Sequence, residues 1–136
     1  MGTVYAEITL KNGADAIDER RGIIDENAIR LLTVNALVDT GAYTLVINEG
    51  VREKLGLELR GDDWVKLANG ETETVRKADP VEVQWENRTM ICQPVVLPGI
   101  DDVLLGAIPM EDMDLMVDPK NEKVIGRHGD KRIGRV

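Results

Sequence analysis

The feature that most constrains this chain is an apolar run that stops abruptly at an acidic turn. Over residues 29–38 the sequence IRLLTVNALV becomes almost continuously apolar toward its end, as expected of a strand that is covered on both faces. The run stops at Asp39-Thr40-Gly41, and a second strand-like segment follows over residues 43–47. The pattern predicts two strands joined by a tight turn that carries one carboxyl group.

Most of the remaining chain alternates with a period of two, which indicates half-buried strands. Strand-like segments cover residues 4–10, 64–67, 72–75, 81–85, 89–97, 115–117 and 123–125. Asn69-Gly70, a strong hairpin signal, separates the second and third of these segments and predicts a projecting hairpin. The acidic stretch 13–28 lacks clear periodicity, and we interpret it as a surface loop.

Two short helices complete the predicted elements. Asn48 is placed to cap a helix over residues 49–55, and Gly56 is placed to end it in the left-handed conformation. Residues 106–113 contain a possible helix with Pro109 near its start, where proline is tolerated. The fold is therefore mainly β.

Composition limits the function classes. With 136 residues the chain is the size of one domain, and aromatic residues make up only 3%, so stacking platforms for bases are not expected. A net charge of −8 opposes binding to nucleic acid, and no apolar run is long enough to span a membrane, so we expect a cytoplasmic protein. One Cys and one His exclude Cys/His zinc sites, so neither a metal nor another cofactor is expected. Cys92 is interpreted as a small buried residue, and both Trp64 and Trp85 as packing anchors.

The end of the chain differs from the rest in charge. Its last eleven residues, GRHGDKRIGRV, hold four Lys or Arg and one acid. We therefore divide the chain into a domain over residues 1–126 and a basic tail over 127–136. Solvation of the tail, including His128, is the expected state, and docking onto an acidic surface of the same or a partner chain is the alternative.

Asp-Thr-Gly alone also fits a plain turn, since both Asp and Gly favour turns. The wider pattern is more specific. Residues 36–42 read ALVDTGA, and a second motif, Val103-Leu104-Leu105-Gly106, follows some sixty residues later. In these motifs the chain resembles the retropepsin-like aspartic proteases, the single-domain group that includes the retroviral proteases, and within it the small bacterial members. The resemblance covers about residues 3–126.

The resemblance implies an acid-protease fold, a closed β-barrel with one or two short helices and a flap hairpin. It implies a catalytic role for Asp39 and supporting roles for its neighbours Thr40, Gly41 and Ala42. It places the flap, which contacts substrate, at Ala68, Asn69 and Gly70. It assigns packing behind the catalytic turn to Leu104, Leu105 and Gly106.

A single copy of the motif has a further implication. Hydrolysis without a metal or a covalent nucleophile needs two carboxyl groups, one as base and one as acid, so the resemblance implies a homodimer that pairs two Asp39 residues. The expected substrate is an extended peptide, and the acids Glu71 and Glu73 beside the flap tip hint at basic or neutral substrates. Two alternatives stay open. One is a catalytically weak dimeric module that binds peptides or partners, and the other is an unrelated acidic β domain in which Asp-Thr-Gly is only a turn.

Overall fold

A computed structural model describes residues 2–136 of the chain. The strands within these residues are Tyr5–Asn12 (β1), Leu31–Val38 (β2), Leu45–Ile47 (β3), Leu59–Lys66 (β4), Thr72–Ala78 (β5), Val81–Trp85 (β6), Arg88–Cys92 (β7), Val95–Val96 (β8), Leu104–Leu105 (β9), Leu115–Asp118 (β10) and Lys123–Gly126 (β11). The helices are Gly13–Arg20 (α1), Glu49–Leu55 (α2) and Ala107–Asp112 (α3), together with a short 3₁₀ turn at Glu26–Ala28. The mainly β prediction is confirmed, with three α-helices where one or two were expected.

Nine of the strands form one sheet in the order β4-β5-β8-β3-β9-β2-β1-β6-β7, and β10 and β11 form a separate hairpin. The sheet curls into a half-barrel whose edges are β4 and β7, so it is an open version of the predicted closed barrel. The short strand β9 lies between β2, to which it is parallel, and β3, to which it is antiparallel. The two strands that flank the Asp-Thr-Gly turn are therefore joined through a third strand from much later in the chain.

The sheet has apolar side chains on both faces, and successive residues of a strand point to opposite faces. In β3, Leu45 and Ile47 are buried in the main core, whereas Val46 belongs to a second, smaller cluster. We call this smaller group the second cluster. It consists of buried Val46, Val75 and Val95 with partly buried Ala42, Val65, Leu97, Ile100 and Leu104.

Helix α1 replaces the surface loop predicted for residues 13–28, and that prediction was wrong over Gly13–Arg20. Asn12 ends β1 and caps the helix, which begins at Gly13. The Asn12 side chain accepts a hydrogen bond from the Asp15 amide at 3.1 Å and donates to the Leu55 carbonyl at 2.8 Å. Asp15 in turn accepts from the Arg30 side chain at 2.8 Å. Capping and a part-buried ion pair therefore hold a helix whose apolar pattern is too weak to predict it.

Helix α2 has the predicted bounds and the predicted caps. The Asn48 side chain accepts a hydrogen bond from the Val51 amide at 2.9 Å, and Gly56 adopts a left-handed conformation with a φ of 64°. Local capping chemistry was sufficient to predict this helix because both signals act within a few residues of its ends.

The β4–β5 hairpin is confirmed, with longer strands than predicted and a different turn. Within the turn only Gly70 has a positive φ, of 88°. The usual Asn-Gly hairpin turn has a positive φ at both residues. The Leu67 amide donates to the Glu71 carbonyl at 2.7 Å, and the Asn69 side chain accepts from the Glu71 amide at 3.0 Å. A three-residue loop over residues 68–70 therefore joins the strands, and the hairpin projects from the sheet edge.

The basic tail lies against the body of the protein. Buried Arg88 donates to the Asp114 carbonyl at 2.7 Å and to the carbonyl of Gly129 in the tail. Asp114, also buried, accepts hydrogen bonds from His128 Nδ1 at 2.6 Å and from the Ile133 amide at 3.0 Å. The His128 side chain is therefore exposed to solvent, as expected, and is also held by one hydrogen bond to the body of the protein. The division at residue 126 stays a prediction.

Candidate functional site

The Asp39 carboxyl lies where β2 ends and the chain turns toward β3. The Asp39 amide donates to the Leu105 carbonyl at 3.0 Å, and its carbonyl accepts from the Ala42 amide at 3.0 Å. Its side-chain Oδ1 accepts from the Gly41 amide at 2.9 Å. The carboxyl group is half-buried. Backbone hydrogen bonds on both sides of the turn therefore fix the direction of a carboxylate that solvent and ligands can still reach.

The two residues after Asp39 differ in what they offer. A Cβ atom on Gly41 would lie 3.0 Å from Asp39 Oδ1, which is closer than nearly all real Cβ contacts, so glycine permits the amide to approach the carboxylate. The Thr40 side chain is exposed. Its hydroxyl is therefore accessible to another chain.

Strand β9 supports the turn from behind. Leu105 pairs with Val38 of β2 and Leu45 of β3, and its side chain is fully buried in the main core. Leu104 points to the other face and packs in the second cluster beside Ala42. Leu105 therefore lies behind the turn, whereas Leu104 lies on the same side of the sheet as Ala42.

Gly106 brings helix α3 against the Asp39 turn. A Cβ atom there would lie 2.6 Å from the Ala42 carbonyl oxygen and would also overlap the Thr44 backbone. The Ala107 amide donates to the Ala42 carbonyl at 2.8 Å, and the Ile108 amide donates to the Tyr43 carbonyl at 2.9 Å. This close approach, rather than an unusual φ, is the reason that only glycine fits.

The β4–β5 hairpin meets the turn through its flank rather than its tip. Val65 of β4 packs in the second cluster, which also contains Ala42. Ala68, Asn69 and Gly70, predicted as the substrate-covering tip, are exposed at the far end of the hairpin. Sequence reasoning missed Val65, because the adjacent Trp64 is also apolar and no local pattern shows which of the two side chains faces the second cluster.

The two tryptophans have opposite environments. Trp85 is 9% exposed within the main core, which confirms it as a packing anchor. Trp64 is 69% exposed on β4, so its prediction as a packing anchor was wrong. It alternates with Val65 and points away from the second cluster.

Other titratable groups are engaged elsewhere. Burial raises the pKa of the Cys92 thiol to about 12, which leaves it protonated and a poor nucleophile. The hydrogen bond from Lys77 lowers the pKa of Asp63, and the same ion pair raises the pKa of Lys77. The hydrogen bond from His128 lowers the pKa of Asp114, whose side chain is buried. Within residues 2–136, no three His, Cys, Asp or Glu side chains converge as metal ligands would, and no helix is long and apolar enough to cross a membrane.

An open groove of about 560 Å³ lies next to the turn. Its wall includes Val38 and Thr40 from the end of β2, Val4 from the start of the chain, and Val117 and Pro119 from the β10–β11 hairpin. The groove is mostly apolar and reaches the residue that follows Asp39. A partner that docked there would be adjacent to the carboxyl group.

Comparison with known proteins agrees with this geometry. Residues 28–123 match the family model described as gag-polyprotein putative aspartyl protease. No curated protein matches the chain in a sequence search.

Two solved structures are similar in fold. One is the retroviral protease-like domain of Ddi1 from Leishmania major, with a TM-score of 0.58 and 15% identity over 100% of this chain and 95% of that one. The other is EIAV protease complexed with the inhibitor HBY-793, with a TM-score of 0.52 and 17% identity over 82% of this chain and 88% of that one. The family match spans 96 of 136 residues and includes both the Asp39 turn and Gly106. The chain therefore belongs to the retropepsin-like family of aspartyl proteases.

Proposed function

We propose that this chain is an aspartic endopeptidase that works as a homodimer, with a water molecule activated between Asp39 of one copy and Asp39 of the other. The observation that supports this most directly is the half-exposed carboxyl group of Asp39 on a turn that β9 and α3 hold from behind. A rigid base of this kind holds a carboxyl group in one position, as a catalytic site requires.

One carboxyl group is not sufficient for the reaction. A general base must take a proton from water while a general acid gives one to the oxygen or nitrogen of the scissile amide. Two carboxyl groups within hydrogen-bond distance share one proton, because both cannot be ionised cheaply so close together. Such a pair holds the base and the acid side by side, so Asp39 of a second copy supplies what one chain lacks.

The exposed hydroxyl of Thr40 and the apolar groove beside it support docking of that second copy. Thr40 would donate to the backbone of the partner's turn and so fix the two carboxyl groups relative to one another. The groove would be covered in the dimer. The proposal thus accounts for an apolar surface adjacent to a catalytic residue.

The substrate would be an extended peptide lying between the turn and the β4–β5 hairpin, which would act as a flap. Main-chain hydrogen bonds would hold such a peptide, with pockets for alternate side chains. Ala42, Val65 and Leu104 are partly buried and line the side of the second cluster nearest the turn. They would form an apolar pocket for one substrate side chain.

The test is cleavage of a peptide library between about pH 3 and pH 8, the range over which a carboxyl pair changes protonation. We expect the wild type to cut, and Asp39→Asn to lose at least about a thousandfold in kcat/KM, the scale of a general acid–base contribution. Asp25→Asn, in an exposed loop, serves as the matched control and retains activity. A statine-type transition-state analogue inhibits the wild type.

Ultracentrifugation at micromolar concentration checks the dimer in the same samples. A folded dimer that cuts no peptide at any pH would contradict the peptidase proposal and would favour the peptide-binding module. A monomer that cuts with full activity would contradict the pairing of two Asp39 carboxyl groups.

A further inference from the structure

The register of the β4–β5 hairpin divides its charged residues between two faces. Val65 lies opposite Glu73, and Asp63 lies opposite Val75. Directly opposed residues of an antiparallel pair share a face, and neighbouring residues along a strand alternate between faces. Glu73, Val65, Val75 and Asp63 therefore share one face of the hairpin.

This shared face is the one turned toward the catalytic turn. Val75 is buried in the second cluster and Val65 packs against it, in the same group as Ala42 and Leu104. The opposite face carries the exposed Trp64. Glu73 therefore lies on the side of the hairpin that would face a bound peptide, directly across from Val65, which would line the proposed apolar pocket.

Glu73 is also the charge on this face that is left without a counterion. Lys77 Nζ lies 3.0 Å from Asp63 Oδ2, so these two charges offset each other. Among the ion pairs within residues 2–136, none includes Glu73, and its side chain is exposed. The face of the hairpin that carries Val65 and Val75 thus presents one negative charge, Glu73, that none of these ion pairs offsets.

We propose that Glu73 is a specificity-determining residue, selecting peptides with a Lys or Arg close to the apolar side chain that fills the pocket beside Val65. The inference rests on the proposed peptidase function and deepens it. Cross-strand Cβ atoms are about 5 Å apart, and alternate side chains of an extended peptide are about 7 Å apart on one side. A basic side chain two positions from the apolar one therefore reaches the Glu73 carboxylate.

The test uses matched peptides that differ only by Lys, Gln or Glu at that position. For the wild type we expect kcat/KM to be about three- to fivefold higher for the Lys peptide than for the Gln peptide, the size of a solvated ion pair. Glu73→Gln removes this preference, and Glu73→Lys reverses it toward the Glu peptide. Asp62→Asn removes the same charge from the opposite face of the same hairpin and retains the wild-type preference.

A binding measurement separates this inference from the peptidase proposal. The Asp39→Asn protein and its double variant with Glu73→Gln are titrated with the same labelled peptides by fluorescence anisotropy. A wild type that cuts all three peptides equally, or a Glu73→Gln variant that keeps the preference, overturns the role of Glu73 and leaves the peptidase standing.

The converse result is also informative. If the wild type cuts nothing while the Lys peptide binds the Asp39→Asn protein more tightly, and Glu73→Gln abolishes the difference, the peptidase proposal fails and the selectivity of Glu73 stands. If no peptide is cut or bound, both proposals are overturned.

Discussion

The Asp39 turn and the β4–β5 hairpin both contact the second cluster, but they are held in different ways. The turn has β9 and α3 packed behind it, and Gly106 touches its backbone directly. Beyond Ala78 at its base, which is buried in the main core, the hairpin packs through one face, while its other face exposes Trp64 to solvent. The turn thus depends on contacts from a distant part of the chain, whereas the projecting part of the hairpin depends on its own ladder and a few apolar side chains.

This difference separates residues that fix the fold from residues that are free to set specificity. A substitution in the turn region acts on packed backbone, which has nowhere to move. A substitution on the exposed part of the hairpin acts on solvent and on a ligand. We expect the same chemical change to have a large effect on stability in the first region and a small one in the second.

The largest expected effect follows from Gly106→Ala. The added methyl group would lie 2.6 Å from the Ala42 carbonyl oxygen, a backbone atom that cannot rotate away. We expect a loss of about 4 kcal/mol in the free energy of unfolding, measured by urea denaturation. Gly50→Ala is the control, since its added Cβ would be in ordinary contact with Asn48 within helix α2 and alanine favours helix. Equal stability of the two variants would contradict the close approach at Gly106.

The two tryptophans allow the effect of one substitution, Trp to Ala, to be compared at a buried and at an exposed position. Trp85→Ala removes a side chain that is 9% exposed in the main core, and we expect a loss of about 3 kcal/mol. Trp64→Ala removes a side chain that is 69% exposed, and we expect a change within about 0.5 kcal/mol. Thermal and urea unfolding of both variants measure this directly. A large loss in Trp64→Ala would mean that the hairpin is packed on both faces.

The sequence predicted those parts of the fold in which signal and structure are close together in the chain. Asn48 and Gly56 cap helix α2 within a few residues, and Asp39 follows the strand that positions it. The sequence did not predict elements that are held by residues far away in the chain. Asp15 is stabilised in helix α1 by Arg30, and the tail is held by Arg88. No local pattern contains either contact.

The residues of the candidate site also fall into those that local motifs predict and those that only the folded structure identifies. Asp39 and the supporting Gly106 could be chosen from their motifs, because each motif records a local geometric need, a turn or a close approach. Val65 and Glu73 could not be distinguished from their neighbours until the register fixed which face they share. A shift of one residue in that register would move every side chain to the opposite face.

A third prediction concerns Asp114, which follows helix α3 on the side away from the Asp39 turn. Helix α3 starts at the turn and is followed by Asp114, which holds the tail through His128 and Ile133. Asp114 has a φ of 56°, which Asn also tolerates, so Asp114→Asn removes the charge and keeps the backbone. We expect the variant to be less stable than the wild type near pH 5, by less than the loss in Trp85→Ala.

The pH dependence of this difference has a definite sign. Hydrogen bonding to His128 lowers the pKa of Asp114 below its ordinary 3.8, so the stabilisation is fully present above that value. It is lost as the pH falls through the lowered pKa of the folded state. The melting temperatures of wild type and Asp114→Asn should therefore converge as the pH falls below 3.8. Asp130→Asn, on an exposed tail residue, is the control, and a gap that widens on acidification would contradict the prediction.

The smallest expected effect comes from Gly70→Ala, which repeats the first substitution at the tip of the hairpin. Gly70 has a φ of 88°, so alanine is strained there, but nothing lies within 4 Å of the added methyl group. The intrinsic cost is about 1 kcal/mol, and the tip can relieve it by opening locally without unfolding the sheet. We therefore expect global stability to change by less than that cost, while amide exchange of Leu67 and Glu71 becomes faster. A global loss as large as that of Gly106→Ala would mean that the tip and the turn unfold as one unit, and the distinction between a fixed turn and an adaptable hairpin would fail.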